Sequence, residues 1–375
     1  MANKWKFDFG PHDGGVEAAA PDYIRITERS AYDPETGYGF LEVSSVAAKD
    51  RGTGGTLRRD FCIPCGTAFR LDVPNGHYQV TMTIGDDIAP IRMSLRANHK
   101  PVLTVTSPAG LFREERFAIH VKDGSLRLSF GGPTPRVNAL EIAEVPSALT
   151  LFLAGDSTVT DESESNFPYA GWGMMLQRRF KHDVVVANYA KSGRSSKSFL
   201  HEGRFEPILE LMKPNDFLFI QFGHNDQKAD ESRHTDPDTT YREYLSRYID
   251  AAREKGAHPV LVTSVHRRYF EPDGTLTDTH GAYLDAVRSL AAERNVPLID
   301  LAARSRELFE RLGPEGTKDV FMWAVPGEFE AFPAGAQDNT HFHERGADRI
   351  ADLVAEEIRS LGVWPLRMYL RETTA

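Results

Sequence analysis

Two cysteines in 375 residues are too few for the disulfide framework that staples small secreted domains. No apolar run approaches the ~18 residues of a membrane span. The segment Met1 to Gly10 lacks the apolar stretch of a secretion signal and reads as a first strand. Positive charge is also scarce, with 44 Lys and Arg against 54 Asp and Glu, a formal net charge of −10. That balance argues against a nucleic acid or an anionic membrane as partner, since each selects a basic face. These absences predict a cytoplasmic protein, or a secreted one if a signal has been removed. They leave the oligomeric state open.

The two cysteines, Cys62 and Cys65, form a C-x-x-C. Zinc would need a second ligand pair at close spacing, and none follows. A redox motif would open a helix, but strand pattern follows Gly66-Thr67, so the pair reads as structural or incidental.

What is present is a chain of two textures. At 375 residues with 41% hydrophobic and 26% charged residues, two ordinary globular domains are expected. Residues 1–146 carry short alternating runs, such as Tyr78–Ile84, Val102–Val105, Phe117–Val121 and Leu126–Phe130, separated by turns such as Pro74-Asn75-Gly76. Period-2 runs at this density predict an antiparallel β-sandwich. Residues 147–375 alternate buried-strand runs with helical periodicity. The runs are Leu149–Leu153, Val184–Val186, Phe217–Ile220, Pro259–Val262 and Pro297–Ile299. Tyr241, Tyr244, Leu245, Tyr248, Ile249 and Ala252 recur at helical spacing, as do Ile350, Leu353, Val354, Ile358 and Leu361. This predicts an α/β domain around a parallel sheet, with ligands at the carboxyl ends of the strands.

The short linker predicts halves that pack together, and Val363-Trp364-Pro365-Leu366 is expected to dock between them. Residues 313–337 are long for a connection and carry Phe321, Trp323, Phe329 and Phe332, which suggests a pocket wall.

The chemistry concentrates in four places. Gly155-Asp156-Ser157 closes the first apolar run, placing Ser157 at the ligand edge of the sheet. Gly193 follows the second run, where a bare backbone N–H can face a ligand. Gly223-His224-Asn225-Asp226 follows the third, and the Asn225 amide is a further donor. Asp338-Asn339-Thr340-His341 precedes the last helix and brings a carboxylate within reach of an imidazole. A serine needs a base to lose its proton, and the base needs a partner that fixes its tautomer. A tetrahedral intermediate needs preorganised donors, each worth ~10²–10³ in rate. Each piece alone reads as a turn or a cap. Their joint occurrence in a workable order is the signal.

These four blocks resemble those of the SGNH hydrolases. The stretches Gly155–Thr160, Asn188–Ser195, Asp278-Thr279-His280-Gly281 and Asp338–Gly346 resemble, more closely, the rhamnogalacturonan acetylesterases of carbohydrate esterase family twelve. The resemblance covers residues 149–361. It implies a three-layer α/β/α fold with a five-stranded parallel sheet, no metal and no cofactor, and removal of acetyl groups from pectic rhamnogalacturonan. It further implies Ser157 as nucleophile, His341 as base and Asp338 as its orienter. The oxyanion hole would then consist of the Ser157 and Gly193 N–H groups and the Asn225 side chain. The N-terminal sandwich resembles galactose-binding-like domains.

An anionic pectic substrate calls for cations near the pocket. Lys191, Arg194, Lys197, Arg267 and Arg268 are the candidates, with Trp323 as a stacking surface for a sugar. Asp226 reads as a structural carboxylate, and His224, His266 and His280 as satisfied structural histidines. Two alternatives stay open: an esterase for another acylated carbohydrate or small ester, and an inactive carbohydrate-binding protein.

Overall fold

The computed structural model describes residues 3–12, 20–52 and 55–372. Met1 and Ala2 of the expected first strand lie outside the described residues. Packing divides the chain into two compact units, residues 1–148 with 180–185 and residues 149–179 with 186–375.

The first unit is built from two five-stranded sheets. In one, Arg113–Val121, Gly76–Ile84, Ala139–Glu144, Lys4–Phe9 and Ile24–Ile26 lie side by side in that order. In the other the order is Tyr38–Phe40, Ala68–Asp72, Ser125–Thr134, Ile91–Ala97 and Lys100–Ser107. Alternation sets the burial: Tyr78, Val80, Met82 and Ile84 of one strand are all buried while Gln79, Thr81 and Thr83 are less so. Phe7, Phe9, Phe40 and Phe69 meet edge-on in the core with ring centroids 5.1–6.0 Å apart. One pairing departs from the antiparallel expectation, since Lys4–Phe9 and Ile24–Ile26 run parallel. Cys62 is buried within the strand Asp60–Pro64 and Cys65 is exposed just beyond it, both as free thiols.

A parallel sheet follows in the chain, its strands β1 Leu149–Gly155, β2 Val184–Asn188, β3 Phe217–Gln221, β4 His258–Val262 and β5 Leu298–Ile299 all of the second unit except Val184 and Val185. β2 and β3 are buried at every position, as a sheet covered on both faces requires. Phe152, Ala154, Leu218 and Ile220 face the helices Thr240–Glu254 and Ala282–Arg294. The helices Leu301–Gly316 and Glu344–Ser360 pack on each other and form the opposite layer with Trp172–Leu176. The strand order is β2-β1-β3-β4-β5. In this order the connections leave β1 and β3 in opposite directions, opening a crevice at their carboxyl ends. Ser157 follows β1 and Asn225 follows β3, so both flank that crevice.

Residues 313–337 are more ordered than a connection. The helix Leu301–Gly316 kinks at Gly313, a 3₁₀ turn spans Thr317–Asp319, and Phe321–Ala324 pairs antiparallel with Ala336–His343. That second strand carries Asp338 and His341 and runs directly into Glu344–Ser360. At the C-terminus Val363 and Leu366 are buried and Trp364 is exposed. Val363 and Trp364 line a cavity of about 450 Å³ with Phe217, His258 and Val296, all of the second unit. Among the described residues no helix is long and apolar enough to cross a membrane.

The start of the last helix is tightly held. The His343 Nδ1 accepts from the Gly346 N–H at 3.1 Å, and a Cβ at Gly346 would lie 1.7 Å from the Val320 carbonyl oxygen. Helix propensity alone favours alanine over glycine by ~1 kcal/mol. Here Gly346→Ala is expected to destabilise instead, by ~1–3 kcal/mol. Urea unfolding of the two proteins compares the signs directly.

Candidate active site

Asp156 sets the floor of the crevice. It is fully buried, and its Oδ1 accepts from the Thr158 N–H at 2.9 Å and the Thr158 hydroxyl at 2.8 Å. The Thr158 Oγ1 in turn accepts from Gln221 Nε2 at 2.7 Å, and Gln221 Oε1 accepts from the Trp172 indole at 2.8 Å. The Asp156 carbonyl receives the N–H groups of Val159 and Thr160. The turn that presents Ser157 is therefore bound on several sides. Burial pushes the Asp156 carboxyl up to about 6, against the hydrogen bonds from Thr158 that favour its charge.

Ser157 is partly exposed at the top of this turn. Its Oγ lies 2.9 Å from His341 Nε2, and His341 Nδ1 lies 2.8 Å from Asp338 Oδ2. Asp338 Oδ1 accepts from the backbone N–H groups of Thr340 at 2.7 Å and His341 at 3.0 Å. The Tyr169 hydroxyl reaches Asp338 Oδ2 at 3.4 Å. Burial works against the Asp338 charge, but the His341 hydrogen bond, its charge and the two backbone donors outweigh it and hold the carboxyl at about 2. For His341, burial favours the neutral ring, yet the hydrogen bond and charge of Asp338, with Asp156 and Glu162 farther off, raise it above the ordinary imidazole value. A hydroxyl, an imidazole and a carboxylate in this line can move a proton off the hydroxyl.

Gly193 has φ +81°, a backbone region that suits glycine, and open space where a Cβ would be. Among the described residues, the backbone N–H groups of Ser157 and Gly193 donate to no protein acceptor. The Asn225 Nδ2 donates to the Arg194 carbonyl at 3.1 Å, which fixes the amide and leaves its second N–H for a ligand. Asp226 is buried beneath this loop. Both Asp226 carboxylate oxygens accept from the Ser196 N–H, and Oδ1 accepts from the Ser196 hydroxyl at 2.5 Å, clamping the helix Ser196–His201. Burial raises Asp226 to about 7.

The expected cations are distributed differently. Arg194 pairs with Glu202 at 2.9 Å, and Lys197 donates to the Glu231 carbonyl at 2.6 Å. Arg268 sits over the Trp323 ring at 4.5 Å, Lys318 at 4.9 Å, and the Trp323 indole N–H donates to Asn339 Oδ1 at 3.1 Å. Lys191 is exposed. Arg267 is half-buried and bonds neutral oxygens, Thr279 Oγ1 at 3.0 Å and the His224 carbonyl at 3.3 Å. The aromatic wall runs from Phe329 to Phe167 and from Phe332 to Tyr169, whose ring lies 6.1 Å from that of His341.

Several contributors escaped sequence reasoning. Tyr169, Gln221 and Trp172 act across long stretches of chain, and no local pattern marks them. The three histidines depart from expectation. His280 Nε2 and His224 Nδ1 are 3.1 Å apart, but His224 Nε2, His266 Nδ1 and His280 Nδ1 are buried without a partner. Burial holds all three low, His280 at about 3 and His266 at about 4.

A doubly covered parallel sheet that offers a serine at its switch point, lined up with a histidine and a carboxylate, defines a carboxylic ester hydrolase. The chain belongs to the GDSL-like lipase/acylhydrolase family, whose model matches residues 153–349. Residues 5–136 match a family described as beta-agarase/YxiM esterase-like, galactose-binding domain-like. Rhamnogalacturonan acetylesterase RhgT from Bacillus subtilis (strain 168) is 49% identical over 222 residues, covering 59% of this chain and 94% of RhgT. The uncharacterized esterase YxiM from the same organism is 30% identical over 375 residues, covering 96% of this chain and 91% of YxiM. The crystal structure of Bacillus subtilis YxiM matches with a TM-score of 0.53 at 28% identity, over 96% of this chain and 99% of that one.

A raised His341 has a definite pH consequence. Only the neutral ring can accept a proton, so hydrolysis should increase as pH rises through a value above ~6.5. The stabilisation from charged His341 is complete below ~6.5 and is lost as pH rises through the folded-state value. Asp338→Asn should move the titration of His341 downward in an NMR experiment. An unchanged His341 titration would show that Asp338 does not govern it.

Proposed function

We propose that this protein is a serine esterase that removes O-acetyl groups from rhamnogalacturonan or its oligosaccharides through an acetyl-enzyme. The line from Ser157 Oγ through His341 to Asp338, at 2.9 and 2.8 Å, carries the reading of the reaction. Ser157 Oγ attacks the acetyl carbonyl while His341 Nε2 takes the hydroxyl proton. Asp338 holds the ring with its proton on Nδ1 and stabilises the imidazolium. The developing oxyanion accepts from the N–H groups of Ser157 and Gly193 and from the Asn225 amide. Collapse of the intermediate expels the sugar hydroxyl, which takes the proton from His341. Water, deprotonated by the same imidazole, then releases acetate from Ser157.

The 49% identity to RhgT across almost all of that protein supports rhamnogalacturonan as the polymer. For an anionic substrate, Arg267 offers a positive charge whose hydrogen bonds go to neutral oxygens. Lys191 adds an exposed one, whereas Arg194 is paired with Glu202 and Trp323 is covered by Arg268.

Ser157→Ala and His341→Ala are each expected to lower turnover of a chromogenic acetate ester by ~10³-fold or more, and the double variant to lose little further. Multiplicative losses would count against a shared mechanism. For the substrate, acetate release from acetylated rhamnogalacturonan oligosaccharides is expected to exceed release from acetylated xylan. The reverse preference would reassign the substrate while leaving the esterase intact.

A further inference from the structure

Beside the esterase crevice lies a second cluster that the reaction does not use. His266 follows β4, and Asp278 and His280 lie on the segment that leads into the helix Ala282–Arg294. A ring nitrogen of each histidine and a carboxylate oxygen of Asp278 lie within 4.8 Å of one another. Both histidines are 3% exposed, and the Nδ1 of each is buried with no hydrogen-bond partner. Leaving two such atoms unsatisfied in one place is costly, at ~1–3 kcal/mol each.

We propose that His266, Asp278 and His280 form a zinc site. Two imidazoles and a carboxylate are the donors that suit a borderline divalent cation, whereas calcium and magnesium select oxygen. The parts are held in place before any ion arrives. The His266 N–H donates to Ser305 Oγ at 3.2 Å. His280 Nε2 is engaged with His224, which leaves Nδ1 as its ligand atom. Asp278 Oδ1 accepts from the N–H groups of His280 and Gly281 at 2.9 and 3.1 Å, leaving Oδ2 for metal. Zinc bonds of ~2.0–2.1 Å require all three donors to close on the ion, and Asp278 is the exposed one of the three. That exposure also leaves the fourth position open to water.

Three arginines oppose a cation here. Arg306 bonds Glu310 and Arg288 bonds Asp300 and Asp285, which offsets two of them. Arg267 remains, and Asp278 supplies the one carboxylate among the three ligands. The ion would tie the segment after β4 to the segment before Ala282–Arg294. Through the His280–His224 contact it would also steady the residue that precedes Asn225. Its role is positional, and the esterase steps do not pass through it.

Titration calorimetry tests this on the full chain after chelation and dialysis, with zinc chloride as the probe. The wild type should bind one equivalent saturably, and magnesium chloride should give no binding heat. Asp278→Asn keeps the two backbone hydrogen bonds and should weaken zinc at least ~10-fold, as should His266→Gln. His341→Ala and Cys65→Ser should bind as the wild type does. Cobalt provides a readout free of variants, with d–d absorption and no sulfur charge-transfer band. Absence of a saturable equivalent in the wild type would overturn the site. So would zinc binding that survives Asp278→Asn and His266→Gln but disappears in His341→Ala or Cys65→Ser.

Discussion

A carboxylate removed entirely from water, Asp156, organises the second unit. Burying such a group costs several kcal/mol unless donors surround it. Here the donors are the next residues of the chain, the Thr158 N–H and hydroxyl. Both bonds go to Oδ1, while Oδ2 is buried without a partner, and they hold the tight turn that lifts Ser157 clear of β1. The Thr158 hydroxyl passes the constraint to Gln221 at the end of β3, and Gln221 passes it to Trp172. The two strands that frame the crevice are thus joined through side chains as well as through the sheet ladder.

Legibility in the sequence followed the range of the interactions. The Asp338–His341 pair is three residues apart and could be read as a pair. The five buried runs marked the parallel sheet because a doubly covered strand has no polar face to disguise it. The Phe321–Ala324 and Ala336–His343 pairing was not legible. One strand is only four residues long, and the other buries only its last two positions, so neither alternates clearly. Gln221, Trp172 and Tyr169 were equally silent, since each acts on a residue tens to more than a hundred positions away. The parallel pairing of Lys4–Phe9 with Ile24–Ile26 was hidden for a similar reason: alternation reports a strand's faces and says nothing of its neighbour's direction.

Charge tells a related story. A chain of net charge −10 has ample carboxylate with which to occupy its own cations. Arg194 and Arg288 are bound to acidic groups, and Arg268 is spent on Trp323. Sequence reveals where a cation stands but not whether it is already engaged, and that distinction separates Arg267 from the carboxylate-paired Arg194.

The histidine arm of the site is a single contiguous piece. Asp338 and His341 share one strand, and His343 caps the helix that begins at Glu344. Strain in that helix would carry imidazole and carboxylate together, preserving their mutual contact while altering their distance from Ser157. Damage to the scaffold would then appear as slower turnover with an unchanged pH profile, whereas damage within the pair would displace the profile itself. Kinetics alone could thus tell a sequence change that moves the arm from one that dismantles it.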